Sequence, residues 1–285
     1  MTWKLRLNKL TQTIPKDIEN STLLNYFDIS KNVLIVTNLM QTLVLELILQ
    51  LLSSSTILYL QKFEYKLKSL SIDLFFRLTS KIPKEVGKLP LRVLDMGFNF
   101  LTGFIPSMIF NISTLEIIFL PNNNLSGHLP TTIGLGLPKL TMLNLCDNKL
   151  GGIFPSFISN SSKLTHLEVF DNSFFGPFLN SLGNLRSLKR LLLQENMFFE
   201  FSTLEISFIS SLINFKFFNT LDISSNSWNG TLPTSTGNLS TSLQYLFASN
   251  CKIQGNIPVE IGNLSNFIAL GLFGNDLTRP ILATI

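Results

Sequence analysis

Between Leu91 and Pro130 the apolar and polar positions follow one template twice, as LRVLDMGFNFLTGFIP and then, 24 residues later, as LEIIFLPNNNLSGHLP. The shared form is L-x-x-L-x-L-x-x-N-x-L-x-G-x-[IL]-P. Leu91, Leu94, Met96, Asn99, Leu101, Gly103, Ile105 and Pro106 fill it in the first copy; Leu115, Ile118, Leu120, Asn123, Leu125, Gly127, Leu129 and Pro130 fill it in the second. The alternation of its second and third apolar positions predicts a short strand with one face buried. An Asn at the following bend carries both donors and acceptors, so stacked copies are expected to form a ladder of buried amides that satisfies backbone groups of neighbouring turns. Gly then permits a tight turn, and Pro fixes the dihedral where the chain swings to the outer side.

Further copies run from Leu140 to Pro155, Leu164 to Leu179, Leu188 to Phe199, Phe218 to Pro233, Leu243 to Pro258 and Phe267 to Leu282. Recurrence at a period of about 20 to 30 residues marks a solenoid, and this spacing is that of a leucine-rich repeat. The expected fold is an α/β repeat: a right-handed leucine-rich-repeat solenoid with a parallel sheet on the concave side. Linking pieces such as TTIGLGLPK and VEIGNLSN are too short for full helices, so single 3-10 or helical turns are expected on the convex side. One rung is longer, with 30 residues from Leu188 to Phe218, and FSTLEISFISSLINFK within it is expected to add a helical turn on the outer face. Cys251 takes the Asn place of its rung, and Arg279 takes the Gly place of the last.

Upstream the pattern is weaker. Leu5, Asn8, Leu10, Ile14 and Pro15 match the second half of a copy, and Leu24, Phe27, Ile29, Asn32 and Leu34 begin another. Residues 1–34 therefore read as partial leading repeats, 35–77 as a degenerate region without an Asn/Gly/Pro framework, and 78–285 as a regular array uncapped at both ends. No signal peptide is visible and the chain opens in mid-repeat, so a fragment is expected. The apolar stretch 33–60 has Glu46 as its only charge and admits a membrane span. Glu46, flanked by Gln41 and Gln50, makes that costly and favours eroded repeats or a misread exon boundary.

Only 14% of residues are charged, which suits rungs that cover each other on both sides. The formal charge of +4 comes from the first 90 residues, with 12 Lys+Arg against 7 Asp+Glu; the remainder holds 10 against 11. The regular array is nearly neutral, so no nucleic-acid partner is expected. Cys146 and Cys251 lie four rungs apart, roughly 19 Å at about 4.8 Å per strand, and are expected to be free thiols. His128, expected in a turn, and His166, on a concave strand, have no metal-ligand spacing around them. No metal, cofactor or catalytic residue is expected. Phe110, Phe157, Phe174, Phe198 and Phe218 are expected to pack inward along the spine.

The template resembles the plant-specific extracellular leucine-rich repeat of receptor-like kinases and receptor-like proteins, over about 195 residues and eight rungs. The long rung and GTLPTSTGNLSTSLQYLFASNCKIQGNIPVEIGNLSN further resemble the subfamily of receptors for bacterial patterns. The resemblance implies an ectodomain on the outer side of the plasma membrane that binds a peptide or protein ligand for defence or developmental signalling, with a co-receptor kinase as second partner. In the family one membrane helix and a cytosolic Ser/Thr kinase follow, and only such a segment, absent here, would bring membrane contact. The chain has no G-x-G-x-x-G loop before V-A-I-K, no H-R-D and no D-F-G, so kinase activity does not carry over. A secreted inhibitor of microbial cell-wall hydrolases uses the same repeat and is the alternative; a truncated, non-functional fragment is the third.

Sequons at Asn20, Asn111, Asn124, Asn160, Asn229, Asn238 and Asn263 suit an extracellular chain. Asn111, Asn160, Asn238 and Asn263 share one phase after the Pro turn, although N-L-S there also belongs to the repeat consensus. Side chains between the strand leucines point to the concave face. One column of these includes Phe119, Asn144, Glu168, Leu192, Asp222 and Phe247; the column before the Asn includes Asp147, Asp171 and Glu195, beside Phe170 and Gln194. The acidic trio is expected to form a strip about 10 Å long that receives a basic residue of an extended peptide; a solvated charged face is the plainer alternative.

Overall fold

The computed structural model describes residues 81–278, apart from 179 and 201–203, and three strands further upstream. Its principal element is an eleven-stranded, wholly parallel sheet formed by Thr2–Lys4, Tyr26–Asp28, Ser69–Ser71, Val93–Asp95, Ile117–Phe119, Met142–Asn144, His166–Glu168, Arg190–Leu192, Thr220–Asp222, Tyr245–Phe247 and Ala269–Gly271 in that order. Each strand has an apolar residue at its centre, and these stand in one register from Leu94 through Ile118, Leu143, Leu167, Leu191, Leu221 and Leu246 to Leu270. The Ser69–Ser71 strand falls inside 35–77 and aligns Leu70 with Phe27 and Leu94. The apolar stretch 33–60 lies outside the described residues. No helix among the described residues is long and apolar enough to cross a membrane.

The amide ladder runs from Asn99 to Asn226 without a break. Asn123 donates to the carbonyls of Met96 in the preceding rung, at 3.0 Å, and of Leu120 and Pro121 in its own, while its Oδ1 accepts the Leu101 N–H at 2.9 Å. Asn148, Asn172, Asn196 and Asn226 repeat that set. Cys251 keeps part of it, its thiol donating to Ile223 O at 3.2 Å and to Ser249 O at 3.3 Å. Both cysteines are free and buried, and burial pushes the Cys251 thiol up to about 12. The residue before each ladder position turns the chain through the left-handed region, from Phe98 (φ 57°) to Asn250 (φ 54°).

After the ladder the chain forms a second parallel sheet of five strands: Thr102–Gly103, Asn124–His128, Lys149–Ile153, Ser173–Pro177 and Met197–Phe199. His128 therefore ends a strand of this lateral sheet and does not sit in a turn, because each rung pairs with its neighbours past the ladder Asn. Gly127 (φ +86°) and Gly152 (φ +85°) adopt left-handed backbone, and a Cβ on either would strike the ring of Phe104 or His128 from the preceding rung. Glycine there answers two demands at once.

The opposite side carries 3-10 turns at Lys84–Lys88, Ser107–Asn111, Ser156–Asn160, Asn180–Asn184, Thr234–Asn238 and Val259–Asn263. In the long rung the α-helix Ser207–Ser211 runs directly into the 3-10 turn Leu212–Asn214, the expected extra turn. It encloses an aromatic spine: Phe174, Phe198 and Trp228 occupy the apolar position after the ladder Asn, and Phe178 and Phe208 pack on them with centroids 4.9 Å (Phe178–Phe198) and 4.7 Å (Phe208–Trp228) apart. Phe110, Phe174, Phe198 and Phe218 are buried as expected, but Phe157 is 45% exposed. Phe157 stands two residues after its Pro, on the outward side of the turn, whereas inward positions fall three and four after, as Ile109 and Phe110 show.

Candidate ligand-binding face

Each three-residue strand is centred on the second framework leucine, so the residues on either side of that leucine point to the concave side. Asp147, Asp171 and Glu195 occupy equivalent places in consecutive rungs, all with left-handed backbone (φ 52°, 50° and 56°). Their N–H groups are fixed by Phe170, Gln194 and Ser224 carbonyls at 3.0 to 3.1 Å, which holds a conformation that Glu rarely takes. Asn122 Nδ2 donates to Asp147 Oδ2 at 2.9 Å and extends the line by one rung. Burial, then a hydrogen bond and repulsion from Asp171, raise the Asp147 carboxyl above its ordinary range; Asn122 opposes this and Glu195 adds to it. Repulsion of this kind is relieved by a cation.

The column between the leucines behaves differently. Glu168 faces Arg190 Nε at 3.1 Å and accepts from Asn144 Nδ2 at 2.8 Å, so its charge is neutralised within the sheet. Asn144 and Leu192 are buried, at 8% and 4% exposure, and form the floor of the face. Phe119, Phe170 and Phe247 are half-buried beside them; Phe247 stacks on Tyr245 with centroids 6.2 Å apart. Asp222 is half-buried, its carboxyl raised by burial against a hydrogen bond from the Ser224 N–H at 3.0 Å. Gln194 Oε1 is buried without a hydrogen-bond partner.

At the other edge of the sheet, where the strands begin, an open basin of 590 Å³ is bordered by His166, Lys189, Arg190, Phe217, Asn219 and Gln244. Columns taken only between the leucines and before the Asn pass over these residues. The Lys189-Arg190 pair beside His166 is the signal in the chain that marks them.

Of the sequons, Asn111, Asn160, Asn238 and Asn263 each end a 3-10 turn and are exposed. Asn124 is exposed at the start of a lateral strand, and Asn229 is half-buried, accepting from Gln254 Nε2 at 3.3 Å. Asn20 lies outside the described residues.

Fold and repeat together define a leucine-rich-repeat solenoid. The profile described as "Leucine Rich Repeat" matches residues 90–112, 139–161 and 242–264. The chain is similar to Receptor kinase-like protein Xa21 of Oryza sativa subsp. japonica, 51% identical over 57 residues, which are 20% of this chain and 6% of that protein. It is 42% identical over 60 residues, 21% of the chain, to Phytosulfokine receptor 1 of Arabidopsis thaliana, again 6% of that protein. Among solved structures, the Arabidopsis receptor kinase HAESA in complex with the peptide hormone IDA and the co-receptor SERK1 aligns with a TM-score of 0.75 and 27% identity, over 97% of this chain and 42% of that one. The chain thus spans less than half of that structure and a small part of either curated relative.

Proposed function

We propose that the chain is the ligand-recognition part of a plant receptor-like kinase or receptor-like protein, working outside the plasma membrane by binding and not by catalysis. Its ligand is an extended peptide or a peptide-like segment of a protein, held on the concave face with a basic side chain over Asp147, Asp171 and Glu195 and apolar side chains against Phe119, Phe170 and Phe247. Asp222 and Gln194 border the same track, and a co-receptor kinase is the second partner, serving defence or developmental signalling.

The observation that carries this reading is the strip itself: three carboxylates on consecutive rungs, with Asp171 close enough to raise the cost of ionising Asp147. A guanidinium or ammonium laid across them relieves that repulsion. The peptide hormone and co-receptor bound to HAESA support the same mode of action for a similar fold. Panning a random peptide display library against the full chain tests it. Enrichment of Lys or Arg at one position, lost when Asp147→Lys, Asp171→Lys and Glu195→Lys are combined, is the expected outcome. Enrichment unaffected by that reversal contradicts it.

A further inference from the structure

The basin at the strand-entry edge has a chemistry opposite to that of the strip. Arg190 spends Nε on Glu168 and has both Nη groups left over; its side chain is 48% exposed. Lys189 has no ion pair among the described residues. Gln244 accepts from Asn219 Nδ2 through its Oε1 at 2.7 Å, which leaves the Gln244 Nε2 hydrogens as donors. The ring of His166 is fixed as well. Thr165 gives its single hydroxyl hydrogen to Thr141 O at 2.8 Å, so toward His166 Nδ1, 2.9 Å away, it acts only as acceptor. The neutral ring therefore carries its proton on Nδ1 and presents a bare Nε2.

From this geometry we infer that the basin seats a carboxylate of the ligand against Arg190, Lys189 and Gln244, and that His166 takes up a proton at Nε2 from solvent as the carboxylate arrives. The inference rests on reading the chain as a peptide-binding module. Charged groups around the ring come from two strands: Glu168 on its own, Lys189 and Arg190 on the next. Met142 and Asn144, on the strand before, carry no charge. Burial, then Arg190 and Lys189, lower the His166 pKa below the ordinary imidazole value against the pull of Glu168. A bound anion cancels the two cations and reverses their effect, so anion and proton bind together.

The basin and the strip border the same rungs on opposite sides, five residues apart from Arg190 to Glu195, at most roughly 16 Å because the chain leaves the strand after Leu192 and turns at Glu195. A ligand that occupies both carries its cation and its carboxylate no more than about five residues apart.

The chain has two histidines, so ring resonances of the histidine-labelled full chain are assigned with a single His128→Gln variant. The His166 titration is recorded alone and with acetyl-triglutamyl amide, free-acid trialanine, acetyl-trialanine amide and trigalacturonate. We expect at least one carboxylate peptide to raise the His166 midpoint by about half a pH unit or more, equivalent to roughly threefold tighter binding at pH 5 than at pH 8. Lys189→Gln with Arg190→Gln abolishes that response.

A response to triglutamyl amide assigns side-chain carboxylates; a response to trialanine assigns a chain terminus. No response to either, an equal response to the uncharged peptide, or a response to trigalacturonate alone overturns the proposal. Repeating the titration with the strip reversed at Asp147, Asp171 and Glu195 separates this subsite from the acidic one, since the His166 response persists there even if the strip binds nothing.

Discussion

Arg190 Nε lies 3.1 Å from Glu168 Oε1 across adjacent strands, and Glu168 Oε2 is held at 2.8 Å by the buried amide of Asn144. This pair divides the concave face. It removes Glu168 from the acidic residues on offer to a ligand and anchors Arg190 toward the basin. Glu168→Gln discards the charge and keeps one of the two accepting oxygens, turning an NH2 toward either Arg190 or Asn144, so a loss of about 1 kcal/mol in stability is expected. Urea denaturation measures that loss, and peptide binding at the strip stays within twofold of wild type.

The amide ladder gives a larger effect. Asn123→Ala leaves the buried Leu101 N–H without its partner and takes one bond from each of the Met96, Leu120 and Pro121 carbonyls, which keep Asn99, Asn148 and the Phe98 N–H, and a loss of about 2 kcal/mol is expected. Cys251→Asn should act in the opposite sense. It restores a full amide where a thiol, a weak donor with one hydrogen, is shared between two carbonyls, with an expected gain of about 1 kcal/mol. Thermal denaturation of the two variants beside wild type measures both signs.

The Asp147 carboxyl titrates above its ordinary range because of burial and the adjacent Asp171. An acid of raised pKa holds its proton more tightly folded than unfolded, so its contribution to stability falls as pH rises from the unfolded value through the folded one. Asp147→Asn should therefore be more thermostable than wild type at pH 7, and the difference should close at pH 3. A cationic ligand at the strip is expected to weaken on acidification, the reverse of the carboxylate subsite. Melting curves and binding isotherms across this range measure both trends.

Exposure at the ends of the 3-10 turns makes Asn111, Asn160, Asn238 and Asn263 the sequons best placed for glycan transfer in a secretory host. Asn229, half-buried and bonded to Gln254, is expected to remain unmodified. Peptide mapping after enzymatic deglycosylation in heavy-oxygen water, which marks former glycan sites, distinguishes these positions.

Much of this fold was legible because the repeat states the same constraint many times. Leu, Leu and Asn at fixed spacing define strand, register and ladder without long-range inference, and even Cys251 was marked by the place it takes. Features that depend on contacts between rungs were not. The lateral sheet that carries His128 arises from pairing beyond the ladder, where the residues are Gly, Ser and Phe and do not alternate. Phe157 turned outward because a 3-10 turn has a phase that a bare Phe count ignores. On the concave face the columns of Asp147 and Glu168 were readable, but the withdrawal of Glu168 into its ion pair and the burial of Leu192 depend on the neighbouring strand.

The acidic strip is expected to hold a cationic residue of the ligand. Calorimetric titration of a panned basic peptide into wild type and into the Asp147→Lys, Asp171→Lys, Glu195→Lys triple variant, with circular dichroism to verify the fold, tests it most directly. At least a tenfold loss of affinity, about 1.4 kcal/mol, is predicted for the folded variant. Equal affinity for the two proteins would contradict the account.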